Sequence, residues 1–389
     1  MTPRSRLRAA AVAAVSALAF GVAGPVSAVP ASPSSAPAVL DVGPTSFSGP
    51  GPYGVGERTL TLPSGSRVEV WYPARRVDVQ GRWIARYNLV RWLPSFYEVP
   101  DGFKVTYPSG GVRRVPVKQG EFPLVVFSHG YAGFRTQSSS LTSAIASWGF
   151  VVAAPEHPSR DITKILGGPA GTTTDVEDLQ ATITLMKALN RSKASHFFGH
   201  VDADHIAALG HSAGGRASEQ LAMVDQRVDT FVGLAGASVG ALDSEGAEVP
   251  DKPGLLMAAT DDGIVPLDKM QAAYAAMNAP KRFVEIGGSG HLVFSDICEI
   301  GAGEGGLTAL AAAIGIDLAH LGSLSKLATD GCIDPAVAPT DAWPSIQQVV
   351  VAYLRRTFGL DPSDAALTGL EDAYPGIVVG DESVGDPLP

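Results

Sequence analysis

The twenty residues from His205 to Val224, HIAALGHSAGGRASEQLAMV, restrict the fold of this chain more than any other stretch. His205–Leu209 is a short apolar run suited to a buried parallel strand, and Arg216–Val224 is built from helix formers. Between them stands Ser212, flanked by Gly210 and Gly214. A serine set between strand and helix in this way is the pattern of a nucleophile elbow, a turn so sharp that side chains cannot fit where strand and helix crowd together. The turn lifts the Ser212 hydroxyl above the sheet edge, and the Ala213 N–H at the helix start can face a developing oxyanion. The bare G-x-S-x-G pattern occurs again at Gly236–Gly240, but the residues after Gly240, ALDSEGAEVP, are loop chemistry with no amphipathic helix. Context therefore assigns the nucleophile to Ser212.

Strand and helix signals alternate on both sides of this unit. Strands are expected at 58–62, 66–72, 124–128, 150–154, 228–234, 255–259 and 282–286, and helices at 138–148, 176–189, 267–277 and 342–358. Alternation of this kind gives an α/β fold, a mostly parallel twisted sheet with helices on both faces, whose ligands bind beyond the carboxyl ends of the strands.

A serine hydroxyl is a weak nucleophile until a histidine takes its proton, and the histidine needs an acid to fix its tautomer. In α/β-hydrolases these follow the serine in the order acid, then histidine. Downstream of Ser212 only His291 and His320 are available, and His320 lies within an Ala/Leu-rich helical stretch. His291 follows a strand and a Gly-Gly-Ser-Gly loop that can turn its ring back toward Ser212. The acid belongs just after a strand, where Asp261 and Asp262 are adjacent, and the D-G-I-V-P arrangement favours Asp262. A second oxyanion donor should come from the loop after the 124–128 strand, where the N–H of Tyr131 in SHGYAGF pairs with that of Ala213.

The segments FSHGYAGFRTQSSSLTSAIASWGFVVAAPEH, VDADHIAALGHSAGG, GPYGVG and VEVWYP, with the D-G-I-V-P turn, resemble the secreted platelet-activating-factor acetylhydrolases. The G-Y, Q-S-S and A-S-x-G-F-V-V features are similar to bacterial cutinases and polyester hydrolases. The resemblance implies an α/β-hydrolase with Ser212, Asp262 and His291 as the triad, Tyr131 and Ala213 as the oxyanion hole, and no cofactor. It implies a serine esterase acting on short-acyl or lipid-like esters. A polyester hydrolase, an acyltransferase or a peptidase could use the same triad, because the triad does not encode the leaving group. Two features depart from the compact cutinase pattern: GLAGASVG carries no aromatic clamp, and an insertion at 297–341 follows His291. Starting beside the catalytic histidine, that insertion is expected to form a cap.

Outside this frame, Met1–Ala28 reads as a signal peptide: Arg4, Arg6 and Arg8, an apolar core, then Val-Ser-Ala. It has no cysteine to carry a lipid and is short for a membrane span. Its removal would take the formal net charge from −10 to −13, which argues against nucleic-acid partners. Residues 29–51 read as a Pro/Ser/Ala-rich linker, 52–360 as the hydrolase domain with insertions at 74–121 and 297–341, and 361–389 as an acidic, poorly ordered tail. Cys298 and Cys332, an even pair in an exported chain, should form a disulfide. His196, His200 and His205 with Asp202 and Asp204 match no zinc spacing and read as a solvated loop. In Arg82–Leu93 the residues Trp83, Tyr87, Val90 and Leu93 lie near one helical face, which fits either an interfacial helix touching a lipid surface or a packed lid or core segment.

Overall fold

The computed structural model describes residues 42–237, 249–318, 323–333 and 336–385. The expected signal peptide Met1–Ala28, Ser238 and His320 lie outside the described residues. Twelve strands occur among those described. They are β1 (Gly54–Thr61), β2 (Arg67–Ala74), β3 (Arg86–Asn88), β4 (Thr106–Pro108), β5 (Val112–Arg113) and β6 (Phe122–Ser128). Beyond these come β7 (Val151–Pro155), β8 (Val201–His211), β9 (Thr230–Leu234), β10 (Gly254–Ala259), β11 (Lys281–Ile286) and β12 (Val378–Val384). Ten of them form one sheet in the order β12-β11-β10-β9-β8-β6-β7-β2-β1-β5, and β3 pairs with β4 separately. The block from β11 through β7 is parallel throughout, and β2 and β12 join it antiparallel.

Side chains alternate across the sheet as the strand period requires. On one face Val125, Phe127, Ala207, Leu209, Leu255 and Met257 pack against helices Ser139–Ser147 and Pro339–Thr357. On the other, Leu124, Val126, Ile206, Ala208, Leu256 and Ala258 meet helices Asp175–Arg191, Ala213–Val224 and Leu267–Ala276. A third, smaller cluster lies off the sheet between the two insertions, around Tyr87, Trp92, Phe134, Ile300 and Leu310.

Three expectations are corrected. The tail is not a loose extension, because Val378–Val384 adds an edge strand to β11. There Val378 is buried, Asp381 pairs with Arg282, and Ala366, Leu367 and Leu370 enter the first core. Ladder pairing and a few apolar anchors outweigh the acidic composition. The linker also ends earlier than expected. Phe47 is fully buried, stacks edge-on against Trp148 at 4.7 Å and donates its N–H to Gln348 Oε1 at 2.6 Å. Finally, Arg82–Leu93 is not a helix but the strand β3 followed by a 3₁₀ turn over Leu89–Trp92. Asn88 Oδ1 accepts from Val90 N at the start of that turn, and Tyr87 pairs across to Tyr107. Tyr87 and Trp92 are buried in the third cluster, which leaves Trp83 as the fully exposed aromatic of the segment.

Candidate active site

The elbow forms as the sequence predicts. Strand β8 ends at His211 and helix Ala213–Val224 begins one residue after Ser212. Ser212 adopts φ 56°, ψ −123°, a left-handed conformation that non-glycine residues hold only when their surroundings impose it. A Cβ on Gly210 would lie 2.2 Å from the Gly214 carbonyl oxygen, and one on Gly214 would lie 2.0 Å from that of Ser128. The strand–helix crossing is therefore closed to any side chain. Ser212 N donates to Leu234 O at 2.8 Å, tying the turn to β9. Gly236, which belongs to the rejected second motif, supports the elbow from behind, since a Cβ there would sit 2.0 Å from Ser212 O.

The expected acid and base, Asp262 and His291, meet beside it. Asp262 follows β10 and is buried, whereas Asp261 is exposed. Asp262 Oδ1 accepts from the amides of Ile264 at 2.8 Å and Val265 at 2.7 Å, and Oδ2 faces His291 Nδ1 at 2.8 Å. With Nδ1 donating to the carboxylate, Nε2 of the neutral ring is left as an acceptor. That atom is buried and makes no hydrogen bond among the described residues, Ser212 Oγ included. The His291 and His211 rings lie 4.8 Å apart, which puts the base against the residue preceding Ser212.

Three residues that the sequence reading passed over hold these loops in place. Gln137 Oε1 accepts the Gly130 amide at 3.0 Å, and its Nε2 donates to His211 Nδ1 at 2.9 Å. His211 Nε2 in turn donates to His291 O at 3.0 Å. One buried relay thus joins the Tyr131 loop, the elbow and the base. Burial, and then the neighbouring His291, hold the His211 pKa well below the ordinary value, so the ring is the neutral tautomer this relay needs.

The second is Arg160. Its Nη1 donates to the carbonyls of His129 at 2.5 Å and Gly130 at 2.6 Å, and Nη2 to Ser128 Oγ at 3.0 Å. In a trans peptide the N–H points opposite the C=O. Anchoring Gly130 O therefore aims the Tyr131 N–H away from Arg160. Among the described residues neither the Tyr131 amide nor the Ala213 amide donates to another group. His129, which burial and then Arg160 keep well below its usual pKa, is a neutral structural ring in this cluster.

The third is Asp330, in the second insertion. Its Oδ1 accepts the His291 amide at 2.7 Å and faces the Gly263 amide at 3.4 Å, while its carbonyl accepts Leu292 N at 3.0 Å. One side chain braces the loops of both base and acid. The Cys298–Cys332 disulfide, with S–S 2.09 Å, closes this insertion on itself. Arg160 and Asp330 gave no signal in a single sequence, and Gln137 appeared only as part of a motif.

A ten-stranded, mostly parallel sheet with helices on both faces and a strand–serine–helix turn at its centre is the α/β-hydrolase fold. Comparison with known proteins agrees. Residues 46–167 match the family model described as platelet-activating factor acetylhydrolase, isoform II. The chain is 33% identical over 121 residues to a platelet-activating factor acetylhydrolase of Canis lupus familiaris, covering 28% of this chain and 27% of that protein. For the Cavia porcellus acetylhydrolase the identity is 35% over 123 residues, covering 28% of each. The match thus spans just over a quarter of these relatives' length. The family-model match contains Tyr131, Gln137 and Arg160 but stops before Ser212. Among solved structures, a ferulic acid esterase from Streptomyces cinnamoneus superposes with a TM-score of 0.56 at 21% identity. That superposition covers 84% of this chain and 97% of the esterase. The resemblance to platelet-activating-factor acetylhydrolases expected from the sequence holds, and the solved structure supports the fold.

Proposed function

We propose that this protein is a serine carboxylic-ester hydrolase working through an acyl-Ser212 intermediate. The observation that carries the reading is the buried Asp262–His291 pair, at 2.8 Å with Nε2 unengaged, beside a serine in a left-handed turn. His291 Nε2 takes the Ser212 proton as Oγ attacks the ester carbonyl. Asp262 keeps Nδ1 protonated and stabilises the imidazolium. The amides of Tyr131 and Ala213 receive the oxyanion, each contributing about 3–4 kcal/mol to the transition state. His291 then protonates the departing alkoxide, and water repeats the sequence on the acyl-enzyme. The acetylhydrolase and ferulic acid esterase likenesses support an ester rather than a peptide substrate. The Arg-led apolar start of the chain and the cystine support export, and N-terminal sequencing of protein from culture medium should begin at Val29.

Ser212→Ala should lower turnover of p-nitrophenyl esters by about 10⁴–10⁶-fold and abolish fluorophosphonate labelling. Near-wild-type turnover in that variant would refute the assignment. Products that depend on added alcohol would identify acyl transfer by the same machinery.

A further inference from the structure

The third hydrophobic cluster is not solid. It lines a half-open apolar cavity of about 140 Å³, separate from the two sheet cores. Its walls come from three separate parts of the chain: Trp92 and Val105 from the first insertion, Ile162 from the segment after β7, and Leu310, Ala311 and Ala328 from the second insertion. Every wall side chain is aliphatic or aromatic, and the one indole N–H among these six already donates to Glu156 at 2.8 Å. Water entering such a space finds too few polar partners to stay. The loop residues Tyr131 and Ala132 also line it, so the chamber borders the oxyanion donor assigned above.

Size and position together restrict the occupant. An apolar cavity of about 150 Å³ stays dry and accepts a benzene molecule, a group of six carbons. Resting on the esterase reading, we propose that this chamber holds the hydrocarbon arm of the ester, about five to six carbons long, with Leu310 and Ala311 setting its depth. Acetyl esters leave it mostly empty, and arms much longer than hexyl outgrow it. Either the acyl chain or the alcohol of the ester can present this chemistry beside Tyr131.

Two ester series separate those sources: p-nitrophenyl acetate, butyrate, hexanoate and decanoate for the acyl arm, and ethyl, butyl and hexyl acetate for the alcohol arm. In the series that uses the chamber, kcat/KM should rise about tenfold to a hundredfold from the two-carbon to the six-carbon member. Ala311→Phe, which fills the space, should lower that six-to-two-carbon ratio at least tenfold. Leu310→Ala, which deepens it, should move the optimum toward longer chains. Ser212-dependent turnover with both ratios unmoved by both variants overturns the proposal. A readout without chemistry keeps this distinct from failure of the esterase reading: calorimetric binding of p-nitrophenyl hexyl ether to the Ser212→Ala protein. Ala311→Phe should weaken that binding at least tenfold, and binding untouched by either chamber variant overturns the proposal whether or not esters are cleaved.

Discussion

The proposed catalytic face and the chamber beside it are held by opposite means. Around Ser212 the parts are joined by directional bonds from polar side chains, buried at Gln137, His211 and Arg160 and half-buried at Asp330: Gln137 to His211 to His291, Arg160 to the carbonyls before Tyr131, and Asp330 to both the His291 and Asp262 loops. The chamber wall has almost none of this and is held by contact among Trp92, Phe134, Ile300 and Leu310. Proton transfer and oxyanion binding depend on angles, so their supports must be directional. Holding a hydrocarbon arm depends on volume, which nondirectional packing supplies and which tolerates change as long as volume is kept. The difference shows in what each region requires of its residues: at the elbow even a methyl group on Gly214 meets backbone, whereas the chamber walls mix Leu, Ile, Val, Phe and Ala.

That contrast can be broken in graded ways. The largest effect should come from reducing Cys298–Cys332, which spans 34 residues and ties the chamber's outer wall to the segment holding Asp330. Losing that closure should cost about 3–4 kcal/mol locally. Activity should then be lost on heating before the sheet unfolds by circular dichroism. Coincident losses would show that the two regions melt as one. Next is Asp296, buried at the head of helix Ser139–Ser147, where it accepts from Ser139 Oγ at 2.7 Å and Ser140 N at 3.0 Å. Burial pushes its carboxyl up to about 6. Because the folded pKa lies above the unfolded one, its stabilising contribution is complete below about pH 4 and is lost as pH rises through about 6, a slope of roughly 3 kcal/mol. Urea titrations from pH 4 to 7 should lose that slope in Asp296→Asn; an unchanged slope would assign it elsewhere.

Gln137→Leu keeps size but leaves the Gly130 amide and His211 Nδ1 without their partner. The expected loss is about 10²-fold in kcat with little change in KM. A change confined to KM would mean the relay positions substrate rather than catalytic groups. The smallest effect belongs to Leu310→Met in the chamber wall, a volume-conserving exchange expected to change kcat/KM for hexanoate less than about tenfold. If that exchange proved as damaging as Gln137→Leu, the comparison between the two regions would fail.

The legible parts of the site were those set by local backbone chemistry. Ser212 sits in a turn that only its glycines permit, and Asp262 and His291 each follow a strand end, so short segments announce them. Gln137, Arg160 and Asp330 act on groups brought near by tertiary folding: Gln137 and His211 are 74 positions apart, and Asp330 and His291 are 39 apart. No local pattern carries such partners. Two of the three fold misreadings have the same origin. The apolar spacing of Arg82–Leu93 fits a helix, yet pairing of Arg86–Asn88 with Thr106–Pro108 claims part of it and the cluster around Tyr87 the rest. The acidic tail looks solvated, yet Val378 and Leu370 find buried sites that composition cannot reveal.

The strand Val378–Val384 has a consequence beyond completing the sheet. It occupies the outermost lane, and the exposed side chain of Glu382 stands on it, Asp381 being taken up by Arg282. Like charges on a border strand repel the same strand of a second molecule, which discourages fibre-like stacking. Proteolytic trimming upstream of Val378 would bare the lane containing Phe283 and Val284, so a shortened form would be prone to pair through that edge.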